Sequence, residues 1–198
     1  MMENTIASLN GERPNLVLHS CCAVCLSSVI ERLTPYFQVT VLCCNPNIYP
    51  AEEYYKRRDE QIRLLSLTDT DAVFAETEYD HDEYLDFISG LENEPEGGAR
   101  CEKCFALRLN TTAKYASEHG IDLICSTLTV SPHKNSTSVN NAGTKAAERY
   151  GIGWLYSDFK KKDGFLRSTR LAEQYNIYRQ KYCGCEFTPV SPVPNNEE

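Results

Sequence analysis

The sequence predicts an α/β domain, single and built on a largely parallel sheet flanked by helices. Short apolar runs alternate with helical patterns along most of the chain, which is the signature of a parallel sheet with crossover helices. The 198 residues suit one generous domain, with 41% hydrophobic and 24% charged residues. No internal repeat or low-complexity block interrupts the alternation.

Leu16-Val17-Leu18 forms a short buried strand, and Ala23 to Leu33 a helix. Val39 to Cys44 is a second strand, followed by the turn Asn45-Pro46-Asn47. Pro50 fits the first turn of a helix running from Ala51 to about Leu65. Asp71 to Ala75 reads as a strand, and Asp82 to Ser89 as a short helix with Tyr84, Leu85 and Ile88 on one face. After the loop Pro95-Glu96-Gly97-Gly98 comes a helix from Cys101 to Glu118, stopped by Gly120. Ile121 to Ser126 is a strand, Ser136 to Tyr150 a helix, Gly153 to Tyr156 a last strand, and Arg167 to Tyr175 a last helix. Residues 1–14 and 188–198 read as flexible tails around a catalytic domain at 15–187.

Met1 to Pro14 has no apolar core of a signal peptide, and no apolar run is long enough to span a bilayer. The expectation is a cytoplasmic protein with no membrane partner. Structural disulfides are rare in a reducing compartment, so ten cysteines point to metal ligation or redox chemistry. The formal net charge of -8 argues against nucleic acid when taken alone. The charge is uneven, however. Glu76 to Glu96 holds nine carboxylates and no Lys or Arg, whereas Lys160 to Lys181 holds seven basic residues against Asp163 and Glu173. The second stretch is a candidate phosphate-binding surface, although a solvated face explains either run.

Three cysteine groups could carry chemistry. His19-Ser20-Cys21-Cys22-Ala23-Val24-Cys25 places three thiols between a strand and a helix start, where a helix N-terminus favours thiolates. Cys101-Glu102-Lys103-Cys104 puts two thiols on one helix face. Together Cys21, Cys22, Cys101 and Cys104 supply four thiolates, which suits either a tetrahedral zinc or a [4Fe-4S] cube. Cys183-Gly184-Cys185 could close a small strained disulfide that stores two electrons, or could ligate metal. Cys43, Cys44 and Cys125 lie in apolar strand patterns and read as core. His19 and His133 are candidate proton donors, and Tyr49, Tyr156, Tyr178 and Tyr182 candidate stacking residues; structural packing is the alternative for each.

These motifs occur with Asn45-Pro46-Asn47-Ile48-Tyr49-Pro50, Glu94-Pro95-Glu96-Gly97-Gly98, Thr127 to Asn135, Ser157 to Lys162 and Tyr178 to Cys185. In that order, from about Leu16 to Phe187, the chain resembles the QueH family of epoxyqueuosine reductases. The resemblance implies a nucleotide-alpha-hydrolase (HUP)-like fold and the last step of queuosine biosynthesis. In that step epoxyqueuosine at the tRNA wobble position loses its epoxide oxygen as water and becomes an alkene. By matching motif, Cys21, Cys22, Cys101 and Cys104 would hold a [4Fe-4S] cluster, and Cys183 and Cys185 would form a redox-active disulfide. Where the family has Ala-Pro-Cys this chain has Ala23-Val24-Cys25, and Cys43 and Cys44 replace residues that are usually apolar.

The reaction needs two electrons and two protons, whereas a cluster passes one electron at a time, so a dithiol is a sensible companion. Cys25 is the candidate ligand for a second metal, an additional mononuclear iron. Lys160, Lys161, Lys162, Arg167 and Arg179 are the candidate tRNA contacts. An external low-potential electron donor completes the expected partners. Two other classes stay open on the residues alone: an ATP-dependent tRNA-modifying transferase of related fold, and a zinc-stapled interaction protein without catalysis.

Overall fold

A computed structural model of the chain describes residues 2–188. Five parallel strands form one sheet: β1 (Asn15–Ser20), β2 (Gln38–Cys43), β3 (Val73–Glu76), β4 (Leu123–Ser126) and β5 (Gly153–Trp154). Their spatial order is β3-β2-β1-β4-β5. The order reverses between β1 and β4, and a crevice at such a switch point, beyond the strand carboxyl ends, is where open α/β sheets bind ligands. There His19, the next-to-last residue of β1, is the register partner of Ser126, the last residue of β4.

The helices are α1 (Met2–Ala7), α2 (Ala23–Leu33), α3 (Ala51–Leu67), α4 (His81–Ile88), α5 (Ala99–Glu118), α6 (Ser136–Arg149) and α7 (Gly164–Gln174). They cover both faces of the sheet. On one side Leu16, Leu18, Val39 and Val41 pack against Leu26, Ile30 and Leu33 of α2. On the other, Val17, Leu42 and Ile124 meet Leu109 and Ala113 of α5 and Val139 and Ala146 of α6. The alternation along β1 and β2 between these two cores is the period-2 geometry of a strand buried on both faces. Cys43, Cys44 and Cys125 are all buried, at 1%, 2% and 0% exposure.

Three regions differ from the sequence reading. Residues 2–7 form a helix, and Met2, Ile6 and Leu9, spaced on one helical face, pack on the first core. A single 3-10 turn, Thr127–Val130, follows β4 and is fully buried. Helix α7 begins at Gly164, three residues before the expected Arg167. Gly164 packs so closely that a Cβ would lie 1.8 Å from the Phe159 carbonyl oxygen. Of the expected C-terminal tail, only Thr188 lies within the described residues. Among the described residues, no helix is long and apolar enough to cross a membrane.

Candidate active site

The crevice at the switch point opens into a cavity of about 320 Å³. Its lining joins Cys21, Cys22 and Cys25, at the start of α2, to the segment Arg179 to Cys183 and to Ser131 to Lys134. Residues far apart in sequence meet here because β1 and β4 end side by side.

Cys22 caps α2 with extended backbone and no side-chain capping bond. Cys21 is held well above the ordinary thiol range by its hydrogen bond with Cys22 and by burial. Cys22 itself is pushed up to about 12: the bond with Cys21 lowers it, but the bond with Cys25 and burial outweigh that. Cys22 thus neighbours both Cys21 and Cys25. On α5, Cys104 is buried and burial pushes it up to about 12, while Cys101, partly exposed, accepts a bond from the Gly97 backbone N–H at 3.2 Å.

Arg108, one turn after Cys104, is 2% exposed. It donates to Asn45 Oδ1 at 2.6 Å and lies 3.8 Å from Cys104 Sγ. Its pKa is raised because, although burial lowers it, the charges of Cys104, Cys21 and Cys183 favour the cation. Its buried Nε has no partner. A cation this buried calls for negative charge close by.

Arg57 of α3 is equally buried. It pairs with Glu53 at 2.7 Å and donates to the carbonyls of Cys183 at 3.0 Å and Tyr182 at 3.3 Å. The Gly184 carbonyl accepts from Tyr49 N–H at 2.8 Å. Three successive carbonyls of the Cys-Gly-Cys loop are thus tied to α3 and the loop before it.

The two thiols of that loop have different surroundings. Cys183 Sγ faces the cavity and lies 3.1 Å from Lys134 Nζ, which also pairs with Glu96 at 3.0 Å. Cys185 is 6% exposed and its Sγ lies 3.1 Å from the hydroxyl of buried Tyr84. All ten cysteines are free thiols. The expected Cys183–Cys185 bridge is therefore not formed here.

The family model described as "Epoxyqueuosine reductase QueH" matches residues 16–190. The chain belongs to the QueH family. It is 43% identical to the Streptococcus pyogenes serotype M1 protein named epoxyqueuosine reductase QueH, over 88% of this chain and 70% of that one. Similar relatives carry the same name in Staphylococcus epidermidis (41% identity, 91% and 79% coverage) and Thermotoga maritima (32%, 87% and 89%).

Among the described residues, no group of three or more His, Cys, Asp or Glu side chains forms a ready-made ion site. The donor chemistry nevertheless fits an iron-sulfur cube. Four thiolates around a [4Fe-4S]²⁺ core carry a net charge of -2. Arg108 and Arg57, buried among these thiols, are placed to balance that charge.

The basic residues expected to meet tRNA do not form one free surface in this QueH chain. Lys162 is paired with Glu3, and Arg167 binds Glu31 through two bonds of 2.8 and 3.0 Å. Lys160 donates to the Lys134 carbonyl at 3.2 Å. Arg179 and Lys181 are exposed at the cavity, beside Phe165, and Lys161 is exposed on the preceding turn. Of the candidate proton donors, His133 lines the cavity, whereas His19 is fully buried between Ser126 and the Cys44 carbonyl. Arg57, Arg108, Lys134 and Tyr84 were not singled out as site residues by sequence. Arg108 and Arg57 sit on helices as ordinary charged residues, and only the tertiary fold buries them.

Proposed function

We propose that this chain reduces epoxyqueuosine to queuosine in tRNA, as the names of its relatives suggest, with the thiol-lined cavity as the reaction site. The observation that carries this reading is one cavity shared by Cys21, Cys22, Cys25 and Cys183, with buried guanidinium groups around it. The strand order and the Cys pair at the β1–α2 loop, where a HUP-like fold holds its ligand, agree with it. In place of a glycine-rich phosphate loop this loop carries Cys21-Cys22, which disfavours the ATP-dependent alternative.

Cys21, Cys22, Cys101 and Cys104 would hold the [4Fe-4S] cluster, and Cys25 would serve an additional mononuclear iron. When bound, these groups supply single-electron transfer and a Lewis acid for the epoxide oxygen. The protein's own residues do the rest. Arg179 and Lys181 attract the tRNA backbone to the cavity mouth. Arg57 fixes the Cys-Gly-Cys loop against α3. Cys183 and Cys185 give up two electrons and form one disulfide. The substrate takes two electrons and two protons, and its oxygen leaves as water. An external low-potential donor then returns the pair to thiols.

The test is anaerobic reconstitution followed by turnover on tRNA bearing epoxyqueuosine. The loaded protein should contain about four sulfide and about five iron per chain, the cube and one further iron, and should convert the substrate. Cys104→Ser should lose most of the cluster and the activity. Stoichiometric zinc, no sulfide and no conversion would favour the zinc-stapled reading instead.

A further inference from the structure

The Cys-Gly-Cys pair has two chemically unlike ends. Cys183 is partly exposed to the cavity and its sulfur faces a lysine ammonium at 3.1 Å. Cys185 is buried in a separate cluster with Tyr84, Ile88, Cys104 and Leu107, and its sulfur faces a neutral phenol at 3.1 Å. We propose that Lys134 is a positioning residue that makes Cys183 the leading thiol of the pair and leaves Cys185 as the resolving thiol, held back by Tyr84. This rests on the reading of the pair as the electron store, and deepens it by assigning the order of the two sulfurs.

Lys134 is built into its place. Its ammonium bridges Cys183 and Glu96, and its backbone carbonyl accepts from Lys160 Nζ. Its proton is held above the ordinary lysine range: burial opposes the charge, but Cys183 and Glu96 outweigh burial. A cation beside a sulfur favours the thiolate, which is the nucleophilic form. Arg108 adds positive charge toward Cys183 from α5, Cys104 opposes it, and Arg57 binds the Cys183 carbonyl rather than its sulfur. The Cys185 sulfur is met by the Tyr84 hydroxyl, whose proton burial holds firmly in place.

The Cys183 thiolate and the Cys185 thiol form one S–S bond, releasing two electrons and the Cys185 proton. The second proton comes from solvent, because Lys134 stays an ammonium paired with Glu96. Two electrons and two protons convert the epoxide to alkene and water. In the return step the donor delivers two electrons and solvent the Cys185 proton, and Cys183 returns to its thiolate. Forming the bond requires the Lys134–Cys183 and Tyr84–Cys185 contacts to give way, so both partners also set the geometry of closure.

Limiting anaerobic alkylation with iodoacetamide, read by peptide mass spectrometry on the cluster-loaded protein, tests this order. In the wild type, Cys183 should be modified on the order of tenfold faster than Cys185, since reactivity follows thiolate character and access. Lys134→Met should slow Cys183 with little change at Cys185, and Lys134→Arg should restore much of the rate. Tyr84→Phe should speed Cys185 instead. Modification of Cys185 first, or a Cys183 rate indifferent to Lys134→Met in a protein of unchanged melting temperature, would overturn the assignment. The wild-type ratio needs no variant to fold. Thiol counting over a turnover reports separately whether the pair cycles at all, so failure of the electron-store reading is distinguishable from failure of the order.

Discussion

Gly184 sits at φ +107° between the two cysteines, and a Cβ there would lie 3.0 Å from both Arg57 Nη1 and Ile48 Cγ1. Only glycine accepts that backbone easily, and a Cβ would press on both neighbours. Gly184→Ala should therefore lower stability by about 1–3 kcal/mol, the scale of backbone strain plus overpacking, measured by denaturant unfolding. His19 supplies a pH test. Its Nε2 must donate to the Cys44 carbonyl at 3.2 Å, which leaves Nδ1 to accept from the Ser126 hydroxyl at 2.8 Å. Burial first, and Arg108 second, hold its pKa well below 6.5. The folded ring stays neutral while the unfolded ring takes up a proton below that value, so the unfolded state gains as pH falls. Stability from this residue is present above about pH 6.5 and declines below it, by at most ~1.4 kcal/mol per pH unit. Unfolding of the apo protein at pH 7 and pH 5.5 should show that slope, and His19→Gln should flatten it. The cysteines were legible in the sequence because their residue type names their chemistry. Arg108, Arg57 and Lys134 were not, because a charged side chain reads as solvated until the fold buries it.

The elements were largely readable. Apolar runs mark β1, β2 and β4, and Ala23–Leu33 has the boundaries expected of α2. Helix α1 escaped because a short N-terminal stretch with few apolar residues resembles a frayed end, although Met2, Ile6 and Leu9 already share a face. The early start of α7 escaped because it depends on left-handed backbone at Lys162 and Asp163, which are not glycines. Packing of α6 on the sheet edge gives a test at this scale. Gly143 faces the Trp154 ring of β5, and a Cβ would come within 2.5 Å of three ring atoms. The Trp154 indole N–H also donates to Asn140 Oδ1 at 2.9 Å, which ties the ring in place. Gly143→Ala must push the ring aside and should cost about 1–3 kcal/mol, lowering the melting temperature despite alanine's better helix propensity.

Across the whole molecule, charge and cavity set how the substrate arrives. The basic stretch was visible in the sequence, but its pairing with Glu3 and Glu31 was not, since those partners lie more than a hundred residues away. Binding of tRNA should weaken steeply with salt, because phosphate contacts release counterions. The double change Arg179→Glu and Lys181→Glu should weaken it on the order of tenfold, and more than Lys162→Glu with Arg167→Glu, whose cations are already engaged. Filter binding at two salt concentrations compares the two. On the proposed mechanism, one cavity joins an electron-storing dithiol to epoxide removal. A donor-free single turnover of the reduced, cluster-loaded protein tests it, with product and cysteine state read by mass spectrometry. One queuosine should form for each Cys183–Cys185 disulfide that appears. Queuosine formed while both residues remain thiols, with all electrons traced to added reductant, would contradict it.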